Sequence, residues 1–218
     1  GRPLLVTGPA GIGKRSLVEA VLPDLDLQRL RDIHIHSNTG TDALLGRIAV
    51  AASSRGNGKL QKALNGRKDR PSPSRIVALA VEALQSESMA GTVLVVSGIE
   101  SLLDNRDKSF YSEGMLEMLL QGLICSELQA RIVLLSTHNL QFHHPEMESR
   151  TLAIPPLAKE HTKTFFMNWH VEEEAAEAAV DLFDRTFGHP MALRQVAIAL
   201  RSGQSPEQIQ GTARGRLK

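Results

Sequence analysis

Cysteine is almost absent from this sequence: Cys125 is the single one among 218 residues. An intrachain disulfide and a cysteine-based zinc site are thereby excluded, and a reducing, cytoplasmic setting is the natural expectation. Cys125 itself falls in an apolar pattern that predicts a helix. Charge of one sign is also missing. The formal net charge is +1, so bulk electrostatics names no partner. No apolar run reaches the roughly 18 residues that a membrane span requires, and the N-terminus lacks the charged-then-apolar layout of a signal peptide. Internal repeats and low-complexity tracts are absent too. No Ser/His/Asp set stands in a nucleophile context. Gly1-Arg2-Pro3 runs directly into an apolar strand, a start that suggests a piece of a longer chain.

What is present is an ordinary soluble composition, 42% hydrophobic and 22% charged, and a length that suits one large α/β domain, or one such domain with a small helical companion. Leu4-Leu5-Val6-Thr7 reads as a strand, followed by a helix with Leu17, Val18 and Val21. Ile33-His34-Ile35-His36 reads as a second strand. Leu44, Leu45, Ile48 and Ala52 fall on one helical face. From Ser53 to Pro73 the chain is polar, glycine-rich and basic, a loop signature. Ser74 is placed to cap the next helix, with Val77, Val81 and Leu84. Thr92-Val93-Leu94-Val95-Val96 has the continuous β-branched character of a strand buried on both faces. A helix with Leu116, Leu119, Leu120 and Leu123 leads to a matching strand, Ile132 to Leu135. Thr151 to Ile154 is a last strand, stopped by Pro155. This alternation predicts an α/β sandwich of three layers, with a mostly parallel five-stranded sheet between helices over residues 1–156. Helical segments near 157–169, 172–187 and 190–202 predict a small helical subdomain over residues 157–218.

The chemistry concentrates between the first strand and its helix. Gly8-Pro9-Ala10-Gly11-Ile12-Gly13-Lys14 has the spacing and the strand–helix context of a phosphate-binding P-loop. Main-chain amides must turn inward around an anion there, and glycine, with no Cβ, permits it. The helix that begins at the loop adds its positive dipole end, and Lys14 brings one cation to the β and γ phosphates. The motif then departs from the Walker A pattern. Arg15 occupies the place of the magnesium-binding hydroxyl, and Ser16 is rotated by about 100° around the helix. Arg15 either offers a cation to a phosphate or points to solvent.

A buried strand of such proteins normally ends in an aspartate that holds the magnesium shell. Here Ser97 stands in that place. Glu100 is the nearest carboxylate, suited either to polarising a water or to starting a helix, where an acid complements the dipole. Two altered contacts at one ion make slow or absent hydrolysis the expectation. The strand Ile132–Leu135 ends in Ser136-Thr137-His138, polar groups at the end of the sheet where ligands sit.

Taken in order, these segments resemble the nucleotide-binding core of STAND-type P-loop NTPases, the NB-ARC and NACHT groups, with degenerate Walker A and Walker B motifs. The resemblance is carried by the loop at 8–14, by Val95-Val96-Ser97-Gly98-Ile99-Glu100, and by the strand from Arg131 to His138. Ile154-Pro155-Pro156-Leu157 resembles the bridge into the helical subdomain, and Gly188-His189-Pro190-Met191-Ala192-Leu193 is similar to a Gly-x-Pro signature. It implies an ATP- or ADP-binding switch. Gly8, Pro9, Ala10, Gly11, Ile12, Gly13, Lys14, Arg15 and Ser16 would form the cofactor loop, with Pro190 beside the base. Glu100 and Lys14 would be the catalytic groups. No protein residue is assigned as a metal ligand, which leaves Mg²⁺ an open question. His189 either reaches a phosphate or is a surface histidine. Effector and sensor domains in the parent chain and self-association are the partners it implies.

Two other readings remain: an active AAA+ ATPase acting on DNA, and a non-catalytic P-loop scaffold for protein interaction. The basic stretch from Arg55 to Arg75 has no aromatic residue for base stacking and reads as a solvated loop, so nucleic acid is not the expected partner. His34 with His36 and His143 with His144 lack a third ligand and predict no metal site. Phe165, Phe166 and Trp169 recur at helical spacing as a subdomain core.

Overall fold

A computed structural model describes residues 2–23, 28–29, 33–34, 40–66, 71–102, 114–138 and 150–215. Its sheet contains β1 (Leu4–Thr7), β2 (Gln28–Arg29), β3 (Ile33–His34), β4 (Thr92–Ser97), β5 (Arg131–Ser136) and β6 (Thr151–Ala153). Strand order is β2-β4-β5-β1-β6, with β3 also paired to β4. Every pairing is parallel. The expected count of five strands needs correction. Among the described residues four strands have three or more residues; the described part of the strand foreseen at Ile33–His36 is β3, and the two-residue pieces β2 and β3 both pair with β4. Ile35 and His36 lie outside the described residues, as do His143 and His144.

Helices α1 (Lys14–Val21), α2 (Gly40–Ser53), α3 (Lys59–Asn65), α4 (Pro73–Gln85) and α5 (Gly114–Ile124) belong to the same unit. Alternation along the strands sends Leu5, Leu94, Val96, Ile132 and Leu134 into one core with the apolar stripes of α2, α4 and α5. β4 is buried along nearly its whole length, as its β-branched run requires. On α1 only Val18 is buried, and Leu17 and Val21 are exposed. Cys125 is exposed just beyond α5, not within it.

The stretch foreseen as a loop from Ser53 to Pro73 contains α3. It folds because Leu60 is completely buried against the core, and because Lys59 pairs with Glu82 of α4 at 2.5 Å. The cap of α4 is Ser72, whose hydroxyl accepts from the Arg75 amide. Ser74 is already inside the helix, because Pro73 can occupy its first turn without an amide to satisfy.

The second unit comprises Pro9–Gly13 and Ile154–Lys218. Its helices are α6 (Thr162–Asn168), α7 (Glu173–Ala178), α8 (Phe183–Thr186), α9 (Pro190–Arg201) and α10 (Pro206–Gly215). The core gathers Phe166, Val171, Ala176, Ala179, Leu182, Leu193, Val196, Ala197 and Leu200. Phe166 is fully buried and meets Phe165 edge-on, with centroids 6.1 Å apart. Trp169 lies under the Arg194 guanidinium at 4.8 Å. The sequence pattern did not foresee α10.

Candidate functional site

β1 delivers the chain to Gly8, and α1 opens at Lys14. Between them Gly8, Gly11 and Gly13 all have positive φ, at 149°, 78° and 99°. These values suit glycine alone, so the glycines sit where the loop's path demands them. Ile12 is buried and closes a turn through its amide on the Pro9 carbonyl at 3.3 Å.

Lys14 folds across the loop, and its Nζ donates to the Gly8 carbonyl at 2.6 Å. Partial burial holds its pKa below the ordinary 10.5, and the negative charge of Glu100 opposes that shift. Arg15 pairs with Glu19 at 3.4 Å along the exposed side of α1. Ser16 is exposed.

Beyond β4, Gly98 turns with φ 82° into a short 3₁₀ segment, Ile99–Leu102, that carries Glu100. Thr137, just past β5, donates to Glu100 Oε1 at 3.1 Å. Parallel pairing of Ser97 with Leu135 brings these strand ends side by side. Glu100 Oε2 is buried and has no hydrogen-bond partner among the described residues. Thr137 Oγ1 also lies 3.0 Å from His138 Nδ1. A carboxylate only accepts, so the hydroxyl proton goes to Glu100 and His138 Nδ1 carries the proton shared with Thr137. The sheet thus brings together a cation, a carboxylate with one unanswered oxygen, and a hydroxyl that orients that carboxylate. Such a set can bind a phosphate and hold a water beside it. Sequence reasoning reached Glu100 and Thr137 separately. Their bond depends on strand register, which residue spacing does not display.

In the second unit, Pro190 is the first residue of α9. Its neighbours meet the glycine loop. His189 Nε2 lies 2.9 Å from the Ala10 carbonyl oxygen. A Cβ on Gly11 would come within 2.8 Å of Met191 and 3.1 Å of His189. Met191 had no sequence signal beyond its place after the proline.

Solved structures show a likeness to this fold. A STAND ATPase from Pyrococcus horikoshii with a tetratricopeptide repeat sensor matches with a TM-score of 0.56 and 16% identity, over 88% of this chain. The fold is like that of a STAND ATPase. The chain spans 26% of that protein's length. A chain of the E. coli HORMA:CdnC:Trip13 complex matches at a TM-score of 0.45 and 15% identity, over 83% of this chain and 58% of that one. No protein-family model matches the sequence, and no curated protein does.

A magnesium ion beside such a loop takes a side-chain hydroxyl and a carboxylate. Ser97 and Arg15 stand where a carboxylate and a hydroxyl are needed, and Arg15 is engaged with Glu19. Among the described residues no group of three or more His, Cys, Asp or Glu side chains is placed to hold a metal. The two usual protein contacts of Mg²⁺ are thus replaced, whereas Lys14 and the positive-φ loop offer a cation and a turned main chain to an anion.

Proposed function

We propose that this chain is the nucleotide-binding core of a STAND-like signalling protein, one that holds ATP or ADP and hydrolyses it weakly or not at all. The observation that carries this reading is the run of positive-φ glycines at 8, 11 and 13 leading into Lys14, a path that frees main-chain amides to face an anion. Lys14 reaches the β and γ phosphates by exchanging its Gly8 contact for theirs. Pro190 borders the base. Glu100, oriented by Thr137, holds a water near the terminal phosphate, but without the usual magnesium ligands the charge developing in transfer is poorly balanced. Arg15 faces solvent in this reading, and Ser16 contributes little.

Weak chemistry suits a switch. A nucleotide biases two states only through contacts that differ between them, and here the loop residues 9–13 group with the helical unit while their flanks group with the sheet unit. The parent protein would add effector and sensor domains, act in the cytoplasm and self-associate in one nucleotide state. No described helix is long and apolar enough to cross a membrane.

Thermal denaturation in EDTA tests the reading. Either nucleotide at about 100 times its Kd stabilises the protein by about 2.7 kcal/mol, and Lys14→Ala removes the shift while Glu100→Gln leaves it nearly unchanged. A full shift retained by Lys14→Ala contradicts the role of that cation.

A further inference from the structure

We infer that His189, aided by Met191, is a positioning residue for the phosphate loop: it fixes the peptide between Ala10 and Gly11 from outside. A carbonyl can only accept, so His189 Nε2 donates to Ala10 O across 2.9 Å. In a planar trans peptide the C=O and the following N–H point in opposite directions. Holding the Ala10 oxygen toward α9 therefore aims the Gly11 amide away from α9. Met191 covers the same peptide, close enough that Gly11 has no room for a Cβ.

The approach to His189 is itself constrained. Phe187 adopts φ 48° although it is aromatic and 78% exposed, a conformation that persists only where the surroundings enforce it. Gly188 follows at φ 68°, and a Cβ there would collide with the Leu157 carbonyl. That carbonyl's own residue is tied back, with the Leu157 amide donating to Gly188 O at 2.9 Å. Two successive left-handed residues aim His189 at a single backbone oxygen, and Pro190 then starts α9.

The inference deepens the proposed function, and rests on it only for its effect on nucleotide affinity. The test uses the whole chain and has two arms. In the nucleotide-free protein, hydrogen exchange of the amides at residues 10–13 is expected to speed up about fivefold in His189→Ala, the worth of one ordinary hydrogen bond. ADP affinity is expected to fall by about the same factor. His189→Gln, which can still donate to Ala10 O, restores both, whereas a merely structural side chain would not be rescued. Met191→Ala shifts the exchange in the same direction, and it decides the matter if His189→Ala fails to fold. Unchanged exchange in whichever variant folds overturns the inference, even where wild type binds ADP. If wild type binds no ADP, the proposed function falls and the exchange arm still judges His189.

Discussion

At the scale of the residue, Lys14 carries the account. It sits where water is partly excluded, and burial pulls its pKa below 10.5. The unfolded chain holds that proton to higher pH than the folded one does. Between the lowered folded value and 10.5, stability of the nucleotide-free protein therefore rises with pH as far as this group is concerned. Nucleotide binding has the opposite dependence, because phosphates need the charged ammonium. ADP-induced stabilisation is expected to shrink as pH climbs toward the lysine's titration, and Lys14→Arg, whose charge persists, should show less decline. Melting curves with and without ADP across the alkaline range check this. An ADP shift that grows with pH would contradict the role of the cation. The loop was legible in the sequence because three glycines before a lysine have few other uses between a strand and a helix. His189 and Met191 were not legible as its supports. The His189 contact joins residues 179 apart, and nothing local marks it.

At the scale of the element, the clearest lesson is α3. Its segment reads as a basic loop because Lys59, Lys62 and nearby glycines dominate the composition. Leu60 outweighs them once the tertiary core is available, being completely buried, and Lys59 is partnered by Glu82. Leu60→Ala is expected to cost about 2–5 kcal/mol of stability, as other buried leucine truncations do. Denaturant unfolding measures it, and a loss below about 0.5 kcal/mol, the range of surface changes, would return the segment to the status of a loop. The buried strands β4 and β5 were legible because each is a short apolar run enriched in β-branched residues, too short for a buried helix. Of the second expected strand, Ile33 and His34 pair in parallel with β4, and Ile35 and His36 lie outside the described residues.

At the scale of the whole molecule, the chain divides into Gly1–Gly8 with Lys14–Ala153 and Pro9–Gly13 with Ile154–Lys218. The grouping of Pro9–Gly13 with the later segment was not legible in the sequence, since contact between distant segments leaves no trace in periodicity. The central claim is that main-chain amides of this loop capture a polyphosphate. An ADP titration followed by the amide proton–nitrogen correlation spectrum, in EDTA, addresses it most directly. The account predicts that the amides of Gly11, Ile12, Gly13 and Lys14 move first and furthest, and that Lys14→Ala abolishes the movement. Saturable ADP binding that leaves those four resonances in place, or no binding at all, would contradict it.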